Sequence, residues 1–155
     1  MFDQMNGLPV HALVLHAAVV FVPLLALGAI VYALFRRWRA TIGRAVVLLA
    51  VTAPITALVA VLSGDKLHER LLGQGLQGRG AQIINDHMAF GTMTFWFSLA
   101  LGVVTLILVL AARRRPGSMP RVADRGLAVV MVVLAAITGY YVYRTGDSGA
   151  AAVWG

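Results

Sequence analysis

The feature that most constrains this chain is a set of four apolar blocks, residues 9–35, 44–62, 87–112 and 125–143, almost free of charged side chains. Apolar residues fill these blocks instead of recurring on one helical face. An α-helix needs ~20 such residues in a row to cross the ~30 Å hydrocarbon core of a bilayer. The whole chain is 155 residues, 60% hydrophobic and 12% charged, which is too apolar for a water-soluble domain of this size. The expectation is one all-α domain over residues 1–155, an integral membrane bundle of four transmembrane helices. The lipid bilayer is then its first partner.

Charge sets an orientation. The net charge is +7, which on its face suggests nucleic acid. Nine of the thirteen basic residues, however, lie in the two short connections 36–44 and 113–125. That pattern marks cytoplasmic loops and no nucleic-acid partner. Both termini and the loop 63–87 are then extracytoplasmic, in what reads as a bacterial plasma membrane. Trp38 among Arg36, Arg37 and Arg39, and Tyr140, Tyr141 and Tyr143 at the other end, have the look of interface belts. The N-terminus has no basic n-region and no small-residue cleavage site. The first block is therefore expected to stay as a membrane helix rather than be removed as a signal peptide.

Local signals divide the rest. Pro9 suits a first helical turn. Pro23 and Pro54 fall mid-span and are expected to kink their helices. Thr52 and Thr56 flank Pro54 and can occupy backbone groups it leaves unpaired. Ser63-Gly64-Asp65 reads as a helix stop. Residues 65–72 read as a short interfacial helix, with Leu67, Leu71 and Leu72 opposite Lys66, Glu69 and Arg70. Gly73, Gly75, Gly78 and Gly80 read as a flexible connection, and Asn85-Asp86 as the cap of the third membrane helix. Residues 144–155 read as a tail. Ser63-Gly64-Asp65 is echoed by Thr145-Gly146-Asp147, which suggests two similar hairpins about an axis along the membrane normal.

With no cysteine in the chain, structural disulfides, thiolate metal sites and covalent c-type haem attachment are excluded. Chemistry then rests on four histidines, His11, His16, His68 and His87, all on one side in the expected topology. His11 and His16 are five apart, so they point ~140° from each other on a helix and cannot chelate one ion together. Taken singly, His11, His68 and His87 suit plain interfacial polarity. His16 lies inside a block, where an ionisable group is costly and marks a functional position by default.

Three functions fit these residues. Imidazoles at the ends of membrane helices hold b-type haem through axial nitrogens, one or two haems here. In that reading His16 and His87 form one axial pair, and His11 and His68 a second pair or supporting residues. Ala12 and Gly91 leave room for a flat macrocycle. Lys66, Arg70, Arg79 and Arg144 supply cations for propionates. Electrons would pass between quinol, or another membrane donor, and an extracytoplasmic partner. The second reading is a bare Zn or Cu site on His11, His16, His68 and His87, with Met88 and Met93 nearby. The third is a non-catalytic accessory subunit of a larger respiratory or transport complex, its histidines bonding helix to helix. A homodimer suits the thin shell four helices make around two haems. Ser63, Ser148 and the aspartates read as caps and turns, not nucleophiles.

The segments Gly7-Leu8-Pro9-Val10-His11-Ala12-Leu13-Val14-Leu15-His16-Ala17, Ser63-Gly64-Asp65-Lys66-Leu67, His87, and Gly146-Asp147-Ser148-Gly149-Ala150-Ala151-Ala152-Val153-Trp154-Gly155 carry a resemblance. The chain resembles the bacterial four-helix membrane family called domain of unknown function 2231, over essentially its whole length. The most specific parts are the His-x4-His and the Ser-Gly-Ala-x-Ala-Val-Trp tail. The family pattern places proline directly after the first histidine, where this chain has Ala12. Some members are joined to Rieske-type iron–sulfur domains, so the resemblance implies redox work at the outer face. It implies His11, His16 and His87 as ligand positions; His68 matches no family motif.

Overall fold

The computed structural model describes the backbone of residues 4–5, 8–114 and 120–154, and side chains over 14–113 and 120–154. Four long helices make up the described chain: α1 (Val10–Leu34), α2 (Arg39–Gly73), α3 (Gly78–Arg114) and α4 (Arg121–Trp154). Gln4–Met5 pairs antiparallel with Leu8–Pro9 ahead of α1, and a 3-10 turn at Arg36–Trp38 joins α1 to α2. All four helices are long and apolar enough to cross a membrane. The fold is therefore the expected all-α four-helix membrane bundle. Neighbours in sequence are neighbours in space, α4 closes against α1, and α1 and α3 sit diagonally.

The core follows a 3–4 spacing. Val22, Leu25, Ala29 and Tyr32 are buried on α1, and Val46, Ala50, Ala53 and Ala57 on α2. Thr94, Ser98, Leu101, Thr105 and Leu108 continue the spacing on α3, and Met131, Ala135 and Thr138 on α4. An average step of 3.5 residues keeps each seam facing its partners in a left-handed bundle. The outward residues, such as Leu27, Leu48, Ile55 and Ile107, are large, apolar and exposed. Lipid is the solvent that suits them.

Association between membrane helices comes from close packing rather than from water exclusion, so small residues mark the tight seams. The alanine seam of α2 meets α3 at Gly102, where a Cβ would lie 2.5 Å from the Ala50 carbonyl oxygen. Pro54 cannot donate to that carbonyl, four residues earlier. The flanking hydroxyls do not take it either: Thr52 donates to Leu48 O and Thr56 to Ala53 O. Gly102 instead lays its bare Cα against the freed carbonyl. Buried Ser98 and Thr138 return their protons to Phe95 O and Leu134 O of their own helices.

The largest departures from the sequence expectation lie at three helix boundaries; α2 and α4 also begin a few residues early, at Arg39 and Arg121. Ser63-Gly64-Asp65 does not stop α2, and no separate helix covers 65–72; α2 runs through both to Gly73. A helix ends on glycine when that residue turns left-handed, and Gly64 stays helical and buried. The turn comes at Gly75, with φ +90°. There Gly75 N–H donates to Leu72 O and Leu76 N–H to Leu71 O, the paired bonds of a Schellman motif. Asn85-Asp86 lies inside α3, which already begins at Gly78. The expected tail 144–154 is the last part of α4. An isolated helical glycine costs only ~1 kcal/mol, which packing along these helices offsets.

The consequence is geometric. α2 holds 35 residues, so it is ~52 Å long at ~1.5 Å per residue and outruns a ~30 Å core. With the arginine turns at one interface, α2, α3 and α4 project past the other, carrying His68, His87 and Ser148.

Candidate functional site

At the histidine end the four helices line an open-sided cavity of about 570 Å³. Leu15, Ala18 and Val19 of α1 form one wall. His68 of α2 and His87 of α3 both line it, and Thr145, Gly146 and Gly149 of α4 complete it. The space exists because the facing residues are small: Ala57, Ala60 and Gly64 on α2, and Gly91 on α3. Apart from Thr94, the rest of the lining is apolar. Its volume lies within the roughly 300–1,000 Å³ of cofactor and ligand pockets.

His87 is held in one orientation. Its Nδ1 lies 3.0 Å from the Thr145 carbonyl oxygen and 3.2 Å from Ser148 Oγ. A carbonyl can only accept, so Nδ1 carries a proton. Ser148 Oγ donates to Arg144 O at 2.8 Å and to Thr145 O at 3.1 Å, leaving its own lone pair to share the Nδ1 proton. Thr145 Oγ1 donates to Tyr141 O at 2.7 Å, so Thr94 Oγ1 donates to Thr145 Oγ1 at 3.0 Å. These bonds tie α3 to α4 around the imidazole. An Nδ1–H bonded to a backbone carbonyl is how metal-binding histidines are commonly fixed, with Nε2 turned to the metal.

His68 is half-buried, and its Nε2 is a buried atom with no hydrogen-bond partner among the described residues. A buried polar atom left unsatisfied costs about 1–3 kcal/mol, so its presence calls for a reason.

The sequence-expected residues divide clearly. His68 and His87 meet at one cavity. His16 is exposed on α1 and does not line it, although its neighbour Leu15 does. The side chain of His11 lies outside the described residues. Arg79 is exposed in the first turn of α3. Arg144 packs its guanidinium 4.6 Å from the Phe90 ring centroid; its Nε is buried and unpartnered among the described residues. Neither arginine lines the cavity. Met88 lines it, whereas Met93 is exposed. Gly64 and Gly146, the glycines of the two echoing tripeptides, line the same cavity. Thr145, Ser148 and Gly149 orient His87, a role sequence reasoning missed. The echo and the tail motif were its only signals.

Among the described residues, no three His, Cys, Asp or Glu side chains converge as a metal-binding group.

A family model for predicted membrane proteins, DUF2231, matches residues 7–155. The chain belongs to this family. No curated protein and no solved structure matches it. The family description goes no further than membrane residence.

Proposed function

We propose that this DUF2231 protein is a b-type cytochrome-like electron-transfer protein or subunit, holding haem in the cavity between α2 and α3. The observation that carries the reading is the pair of imidazoles, His68 and His87, on one apolar cavity. A porphyrin already supplies four nitrogens to its iron, so two axial histidines complete the set. This donor set fits haem better than a bare Zn or Cu ion, which takes three or four protein ligands. Relative to the sequence expectation, the axial pair moves from His16 and His87 to His68 and His87.

Bound there, the haem would supply a one-electron carrier. The chain's own residues do the rest. The Thr145 carbonyl and Ser148 hydroxyl hold the His87 ring through Nδ1. His68 brings a buried nitrogen whose cost of burial is offset once it has a partner. Ala57, Ala60, Gly64 and Gly91 keep the space open.

In this reading the histidine end faces outward and the arginine end lies in the cytoplasm of a bacterial cell. Quinol is the membrane donor, and an extracytoplasmic redox protein or a Rieske-type domain is the partner. The site lies near one membrane face, so electrons move laterally or outward rather than across the bilayer. A homodimer or a larger respiratory complex is the working assembly.

The test is the absorbance of the purified full chain. The expected result is a Soret band, a b-type α-band on reduction, and iron on metal analysis. Protein made with ample haem that shows neither band overturns the proposal. Stoichiometric Zn or Cu in that protein would favour the metal-handling reading, and no metal the accessory-subunit reading.

A further inference from the structure

The arginine end carries a second cleft, of about 670 Å³, between the end of α1 and the start of α4. Its α4 wall is Arg121, Asp124, Arg125, Ala128, Val129, Val132 and Val133. Those positions recur at helical spacing and so share one face. The first turn of that face is charged and the next two are apolar. Ala33 and Leu34 of α1 form the opposite wall, with Arg36 at its rim.

The charge at this cleft is not balanced. Asp124 is its one acidic residue, and that carboxylate is already engaged. Arg36 donates to Oδ2 through both Nε and Nη2, and Arg39 donates to Oδ1 at 2.7 Å. Arg121 and Arg125 are exposed and have no ion-pair partner among the described residues. Two uncompensated guanidiniums thus stand above an apolar groove that runs on into the membrane span.

We propose that this cleft binds an anionic phospholipid. Its headgroup phosphate would lie on Arg121 and Arg125, with Arg36 at the rim, and one acyl chain along Ala128, Val129, Val132 and Val133. The occupant must be both an anion and a hydrocarbon. A soluble acidic peptide would leave Val129 and Val133, which are 62% and 51% exposed, uncovered within the span. A zwitterionic lipid would cover them but bring no net negative charge. Basic pockets between membrane helices are where acidic headgroups are recognised, and arginine's planar fork matches phosphate oxygens. The proposal is independent of haem at the other end.

Native mass spectrometry of the detergent-purified full chain tests it. Phosphatidylglycerol, phosphatidylethanolamine and inorganic phosphate are added separately. The expected result is retention of phosphatidylglycerol well above phosphatidylethanolamine, with no phosphate adduct. The double variant Arg121→Gln/Arg125→Gln removes exposed charges only and should fold. At about fivefold per arginine, it should weaken phosphatidylglycerol binding roughly 30-fold. Val129→Trp keeps every charge and fills the groove, and should also weaken it. Equal retention of the two lipids, or wild-type binding by the double variant, overturns the site. Phosphate adducts together with unchanged lipid binding by Val129→Trp would reduce it to a simple anion site and overturn the lipid assignment.

Discussion

A Cβ placed on Gly149 of α4 would stand 3.0 Å from Cε1 and 3.2 Å from Nδ1 of His87 on α3. Glycine is thus the residue that lets the imidazole reach the Thr145 carbonyl. Gly149→Ala is expected to displace the ring and abolish haem binding. Overpacking costs about 1–3 kcal/mol, against ~1 kcal/mol gained from helix propensity, so stability should fall or stay level. Gly139 is the control on the same helix, with nothing within 4 Å of its Cβ position. Gly139→Ala should stabilise slightly and leave the absorbance spectrum unchanged. If both variants keep wild-type spectra and melting temperatures, His87 is not held by this contact.

His68 and His16 should respond in opposite ways. His68→Leu replaces a buried, unpartnered nitrogen with carbon. It should raise the melting temperature of the haem-free protein, by a stabilisation on the order of 1 kcal/mol, while eliminating the Soret band. Such a gain in stability at the expense of function is expected at a binding site. His16 is exposed and off the cavity, so His16→Ala should retain haem. Haem lost with His16→Ala but kept with His68→Leu would restore His16 as the ligand.

The contrast between these histidines shows what the sequence made legible. The four apolar blocks and the arginine turns were enough for the bundle, because lipid solvation acts on whole segments. Helix ends were less legible. Gly64 and Gly146 look like stops, but whether a glycine ends a helix depends on its φ, which packing decides. Depth was ambiguous even where the ends were right, because α1, at 25 residues, is longer than the core. Counted from the expected start at Pro9, His16 falls inside the membrane. Counted from Leu34 it lies ~27 Å along α1, near the far boundary of a ~30 Å core. His68, placed by sequence on a surface helix, is carried to the cavity because α2 never breaks. Periodicity gave its side but not its partners. The pairing of His87 with Thr145 and Ser148 joins residues 58 and 61 positions apart, so its only traces in the sequence are the echoing tripeptide and the tail motif.

Gly102 offers a test of the bundle itself. Its Cβ would meet the Ala50 carbonyl at 2.5 Å, a backbone atom that cannot rotate away. Gly102→Ala should therefore force α2 and α3 apart and destabilise by about 1–3 kcal/mol, despite alanine's better helix propensity. Substituting Pro54 by Ala should also change this seam. It restores a backbone donor to Ala50 and draws the carbonyl back into the helix, so Pro54→Ala should partly rescue Gly102→Ala. Unfolding of the single and double variants in micelles reads the coupling directly. Simple additivity would mean that the freed carbonyl and Gly102 act independently.

Asp124 is the polar anchor of the other end, and its partners are unequal. Arg39 is 14% exposed and also donates to Tyr32 O at 2.9 Å and Ala33 O at 3.3 Å, satisfying carbonyls near the end of α1. Arg36 is 60% exposed. Removing Asp124 leaves Arg39 largely desolvated with no counter-charge, which can cost as much as about 3–5 kcal/mol. Removing Arg36 forfeits an ion pair open to solvent, a loss of about 1 kcal/mol or less. Asp124→Ala should therefore be far more damaging than Arg36→Ala, and Asp124→Asn intermediate because it keeps an acceptor for Arg39. Thermal unfolding of the three variants in one detergent checks the order. Equal losses for Asp124→Ala and Arg36→Ala would show that the exposed pair, not the buried one, fastens α4 to the α1–α2 turn.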